Sequence, residues 1–144
     1  MIYLMSPYTA SAAHERASRS RKCGEAIINL ANSGIKCFSP VFYGHSLEDK
    51  FRLNLPYEHW VDFGLQMLTK CDRAWVYTLP GWRESNGMRV EVEMAIKLEI
   101  PLSTYQLFDA EHVTLKEVFQ EYGLTPRAPQ KFTIPPLKHE EDDL

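Results

Sequence analysis

The sequence has no long apolar run, few cysteines and no large excess of charge, and each absence excludes something. No uncharged stretch approaches the roughly 18 apolar residues of a membrane-spanning helix, so no membrane partner is expected. The N-terminus, Met-Ile-Tyr-Leu-Met-Ser-Pro, lacks the basic segment of a signal peptide and reads as the start of a folded domain. The three cysteines, Cys23, Cys37 and Cys71, are scattered, with neither a CxxC pair nor a Cys/His spacing that would hold a metal. They read as buried thiols of a cytoplasmic protein, and no metal or other cofactor is implied. A formal net charge of -3 gives no reason to expect a nucleic-acid polymer or an anionic membrane as partner. A small anionic ligand stays open, because local charge decides that.

What is there fits one domain. A chain of 144 residues, 44% of them hydrophobic, can bury a core without disulfide or metal staples. Ile2–Met5 is short, apolar and closed by Ser6-Pro7, which predicts a buried strand. From Ala13 to Ser33 the residues Ala17, Cys23, Ile27, Leu30 and Ala31 follow a helical spacing, with Gly34 as the stop. Ile35–Ser39 reads as a second strand, stopped by Pro40. Residues 41–56 show no clear period and read as a long, functional loop. Helical periodicity returns over Tyr57–Lys70, and Asp72–Leu79 reads as a strand. Ser85 is a good N-cap for a helix running to about Glu99. Pro101–Tyr105 is a further strand, and Thr114–Tyr122 a short helix with Thr114 as cap and Gly123 as stop. Strands alternating with helices imply parallel pairing, hence an α/β domain over residues 1–125. Residues 126–144, with four prolines and an acidic end, read as an extended arm or tail.

The most informative segment is Gly81-Trp82-Arg83-Glu84-Ser85-Asn86-Gly87, between a strand and a helix, where α/β folds bind ligands. Free N–H groups at that helix start, with the Ser85 hydroxyl, suit a phosphate, although a plain N-cap explains Ser85 equally well. At 100° per residue, Asn86, Arg89, Glu93 and Lys97 form one polar stripe, while Glu91 points the other way among apolar residues. Either Glu91 sits at the pocket rim with its head in water, or it is buried at a cost that implies a purpose, with desolvation raising its pKa into a range useful for a nucleophile or an acid/base group. Tyr3, on the first strand, is placed to aim its phenol at the same edge. Its hydroxyl needs a partner, either a neighbouring carboxylate or a backbone group. Arg16 and Arg19 share a face of the first helix and form either a phosphate contact or a solvated basic face. His45 in the long stretch and Asp62 on the following helix complete the titratable groups near this edge.

With Tyr3, the Ser6-Pro7-Tyr8-Thr9 loop, Phe38-Ser39-Pro40, Cys71-Asp72 and Gly81-Trp82-x-x-Ser85-x-Gly87-x-x-x-Glu91 together, the chain resembles the nucleoside 2-deoxyribosyltransferase-like superfamily over roughly residues 1–105. It is most similar to the DUF1937 branch, found in bacteria and phages. The resemblance implies a flavodoxin-like, Rossmann-type parallel sheet flanked by helices. It implies cleavage or exchange of the N-glycosidic bond of nucleosides or nucleoside 5′-monophosphates, in dimers or larger homo-oligomers. Glu91 matches the nucleophile, Tyr3 the tyrosine that orients it, and Ser85 and Gly87 the sugar- or phosphate-binding turn. Ser6, Tyr8, Arg16, Arg19 and His45 are the remaining candidates for substrate contact. The family's usual aspartate, eight residues before Asp72, is Gly64 here. Asp62 is the nearest carboxylate, but two residues carry it about 200° round a helix, so it is no simple replacement.

Two functions follow as expectations. The first is an N-glycosidase or deoxyribosyltransferase acting through Glu91; the second is a non-catalytic binder of nucleotides that keeps the pocket. The Tyr3–Glu91 pair favours the first and Gly64 the second. A third reading, an interaction module using the proline-rich tail, rests on that tail alone.

Overall fold

The computed structural model describes residues 1–126, so the tail from residue 127 lies outside the described residues. In chain order its elements are β1 (Ile2–Met5), α1 (Ala13–Ala31), β2 (Cys37–Phe38), α2 (Pro40–Phe51), α3 (Tyr57–Leu68), β3 (Arg73–Tyr77), α4 (Asn86–Lys97), β4 (Leu102–Tyr105) and α5 (Leu115–Tyr122). The four strands form one all-parallel sheet in the order β2-β1-β3-β4. This is the flavodoxin-like, Rossmann-type α/β arrangement that the resemblance implies.

All four residues of β1 are buried, which is why this central strand reads as an unbroken apolar run. Strand alternation then divides them between two cores. Tyr3 and Met5 pack with Leu68, Met88, Val92 and Val118, while Leu4 joins Cys23, Ala26, Tyr77 and Leu79 on the other face. Tyr3 therefore projects toward the layer of α3 and α4. The sheet order reverses between β1 and β3, whose carboxyl ends frame the crevice where open α/β sheets bind ligands.

The caps read from the sequence hold. The Ser85 hydroxyl accepts from the Met88 N–H, and Thr114 with Glu117 forms a reciprocal capping box. Gly123 closes α5 at φ 65°, a left-handed conformation that glycine adopts without penalty.

The long loop expected over 41–56 is only partly there: Pro40–Phe51 form the helix α2, and residues 52–56 alone remain a loop. Ser39 caps it by accepting from the Phe42 N–H, and Pro40 occupies the first turn, where its missing N–H costs nothing. The aromatic Phe42 and Tyr43 and the helix-breaking Gly44 mask the helical period. Gly44 is buried against Trp60 of α3: a Cβ there would lie 3.5 Å from the indole. The same cap shortens the second strand to Cys37–Phe38 from the expected 35–39, because Ser39 already faces the helix. Cys23 and Cys71 are buried as expected, but Cys37 is only partly so, and all three thiols are free.

Candidate functional site

A cleft of about 880 Å³ opens at the carboxyl ends of β1 and β3, roofed by α2 and α3 and bounded by the start of α4. At its floor the Tyr3 hydroxyl donates a hydrogen bond to the Glu91 carboxylate. Tyr3 is wholly buried, so the ring cannot swing away to find another partner. Burial disfavours the charged form of Glu91 more than this hydrogen bond favours it, and its pKa is pushed up to about 7. Burial, and then the negative charge of Glu91, push the Tyr3 phenol well above its ordinary value. Tyr3 is therefore a permanent donor, and Glu91 populates both protonation states near neutrality. On the opposite face of α4, Glu93 pairs with Arg89 at 3.3 Å and Lys97 at 3.6 Å, the solvated stripe expected from the spacing.

The loop after β3 is clamped from a distance in sequence. Trp82 is buried and its indole N–H donates to Glu111 at 2.9 Å. Arg83 grips both Glu111 oxygens at 2.7 and 2.9 Å and lies 4.5 Å over the Trp82 ring. The Tyr122 hydroxyl donates to the Trp82 carbonyl at 2.7 Å. Together these fix the approach to Ser85, Asn86 and Gly87, which line the cleft. A Cβ on Gly87 would meet only the Ser85 Oγ, at 4.0 Å, so the space beside the helix start is open.

The loop after β1 forms the other wall. Ser6 is buried, its Oγ 3.0 Å from the Cys23 Sγ. The Tyr8 hydroxyl meets His45 Nδ1 at 2.8 Å and Glu48 at 3.4 Å. Arg19 donates to the Thr9 carbonyl at 2.7 Å and the Pro80 carbonyl at 3.1 Å, lacing the two loops together. Arg16 donates to the Ala10 and Ser11 carbonyls and does not line the cleft, although it stands behind Tyr8, close enough to act on its hydroxyl. The shared basic face of Arg16 and Arg19 thus holds main chain.

Of the residues singled out by sequence, Tyr3, Ser6, Tyr8, Arg19, His45, Ser85, Gly87 and Glu91 converge on this cleft. Arg16 and Asp62 do not. Asp62 is exposed on α3 and accepts from Gln66 Nε2 at 3.0 Å, one turn along its own helix. Gly64 lines the cleft instead, directly against Tyr3. Sequence reasoning missed Glu48, Glu84 and Trp60, which also line the cleft, and the Glu111 and Tyr122 clamp. The clamp partners lie 28 to 40 residues from what they hold, so no local pattern announces them. The Trp60 indole N–H is buried without a hydrogen-bond partner among the described residues, an orphan donor at the cleft wall.

Among the described residues no group of three or more His, Cys, Asp or Glu side chains is placed to hold a metal ion. No described helix is long and apolar enough to cross a membrane. The family model DUF1937, a domain of unknown function, matches residues 1–107, which carry every cleft-lining residue named above. No curated protein matches the chain.

Proposed function

This chain belongs to the DUF1937 family, and we propose that it is an N-glycosidase of nucleosides or nucleoside 5′-monophosphates with Glu91 as nucleophile. The observation that carries this reading is the Tyr3–Glu91 pair. A carboxylate is held on the floor of a cleft with room for a nucleoside by a buried donor that cannot itself ionise. A carboxylate oxygen of Glu91 attacks the anomeric carbon as the bond to the base breaks, and the departing base takes its proton from solvent water. Water, or a second base, then resolves the glycosyl ester, the covalent logic of retaining glycosidases. Aromatic side chains of α3, Trp60 and Phe63, face the cleft and offer surface against which a base can stack. The resemblance to the nucleoside 2-deoxyribosyltransferase-like superfamily supports the same roles.

A second reading is favoured by one observation. Gly64 and the outward Asp62 leave Glu91 without a neighbouring aspartate, which suits a binder that retains nucleotides unaltered. Incubation with a panel of nucleosides and nucleotides decides between them. Free base released by the wild-type chain and not by Glu91→Ala supports the enzyme; ligand recovered intact after hours supports the binder.

Assembly as a homodimer or larger homo-oligomer belongs to the same proposal. Leu55 and Tyr57 are exposed at the cleft, and Phe51 and Leu53 are exposed beside them in sequence. Three free thiols suit a reducing cytoplasm.

A further inference from the structure

The charges lining the cleft bear on which form of nucleoside it takes. Four carboxylates, those of Glu15, Glu48, Glu84 and Glu91, line it against one guanidinium, Arg19, and the His45 imidazole. Arg19 is already engaged by the Thr9 and Pro80 carbonyls. The other arginines nearby are engaged too: Arg16 by main chain, Arg83 by Glu111 and Arg89 by Glu93. His45 is held by the Tyr8 hydroxyl. Neither Glu15 nor Glu84 has an ion-pair partner among the described residues.

A phosphate monoester dianion is stabilised by charge-assisted donors, above all arginine, and is destabilised beside unpaired carboxylates. The start of α4 offers N–H groups and roughly half a positive charge. Glu84 stands one residue ahead of the cap with a full negative charge, and the Ser85 hydroxyl is already accepting from Met88. A sugar hydroxyl, which both donates and accepts, matches such a mixed edge; a dianion does not.

We infer that the cleft selects nucleosides with a free 5′-hydroxyl and discriminates against their 5′-monophosphates. This rests on the nucleoside reading above for the ligand class, and on the charge arrangement for the choice within it.

The test is calorimetric titration of the full chain carrying Glu91→Gln, which blocks turnover, with nucleosides and their own 5′-monophosphates at pH 8 and low salt. The nucleoside is expected to bind at least 10-fold more tightly than its monophosphate. Raising the salt should narrow that ratio, because the penalty is electrostatic. Adding Glu84→Lys should narrow or invert it, and Glu84 is exposed, so the fold tolerates the change. A monophosphate that binds as tightly as its nucleoside, or a ratio that neither salt nor Glu84→Lys moves, overturns the inference. Base release by the wild-type chain from monophosphates alone would also overturn it while leaving the glycosidase reading intact. Binding of neither class overturns both.

Discussion

Gly64 and Tyr3 touch so closely that a Cβ on Gly64 would lie 2.9 Å from the Tyr3 hydroxyl, nearer than such atoms approach. Tyr3 is fully buried, so it cannot yield without disturbing its hydrogen bond to Glu91. The glycine in mid-helix, which costs α3 up to about 1 kcal/mol relative to alanine, is explained by this contact. Gly64→Ala is expected to destabilise the protein by about 1–2 kcal/mol, the usual cost of overpacking a core. In a Tyr3→Phe background the clashing oxygen is gone and the same change becomes neutral or stabilising. Urea unfolding of the four proteins in a double-mutant cycle measures it. Additive effects would show that the contact does not govern residue 64.

Glu91→Gln should stabilise the protein in a pH-dependent way. The folded carboxyl titrates near 7 and the unfolded one near 4.5, so between these values the folded state holds more protons. Stability therefore falls as pH rises through this window, and the wild-type chain carries the full cost above it. At about 1.4 kcal/mol per pKa unit, the glutamine variant should gain about 3 kcal/mol above pH 8 and almost nothing at pH 4.5. Thermal unfolding of both proteins from pH 4.5 to 8.5 checks the trend. A gap that does not grow with pH would show that Glu91 is not desolvated.

The rate of base release should climb with pH and level off above about 7, because only ionised Glu91 is a nucleophile. Tyr3 lowers the carboxyl's pKa by its hydrogen bond. Tyr3→Phe should therefore move the midpoint of the kcat/KM profile up by about one unit, the size of a hydrogen bond to a charged group. An unmoved midpoint would remove Tyr3 from any part in tuning the carboxylate.

Arg19 is a brace between loops. Arg19→Ala should cost about 1 kcal/mol in urea unfolding, since three carbonyls lose a charged donor that is itself partly exposed. Gly81, at φ +100° and with a Cβ position that would collide with the Arg19 Nη2, should tolerate no larger residue while Arg19 is present. Unchanged stability with a selective loss of monophosphate affinity would instead make Arg19 a phosphate ligand.

Local chemistry made much of this legible in the sequence. The apolar run of β1, the Ser85 and Thr114 caps and the stop at Gly123 each act within a few residues, and each is where the spacing predicts. The turn angle of α4 separated Glu91 from the Arg89–Glu93–Lys97 stripe because helical geometry is regular. The α2 helix was hidden because its stability comes from packing, with Phe42 on Gly24 of α1 and Gly44 on Trp60 of α3, rather than from propensity. Arg16 and Arg19 carried the right chemistry for an anion, but sequence cannot show that main-chain carbonyls had already claimed them. The Glu111 and Tyr122 clamp was beyond reach for the same reason, since tertiary contacts leave no local period.

The most direct test of Glu91 as nucleophile is intact-protein and peptide mass spectrometry after rapid acid quench of the chain with a nucleoside it cleaves. A mass gain of one glycosyl unit on the peptide containing Glu91, absent in Glu91→Gln, is the expected result. Free base released at full rate by Glu91→Gln, or an adduct on another residue, would contradict it.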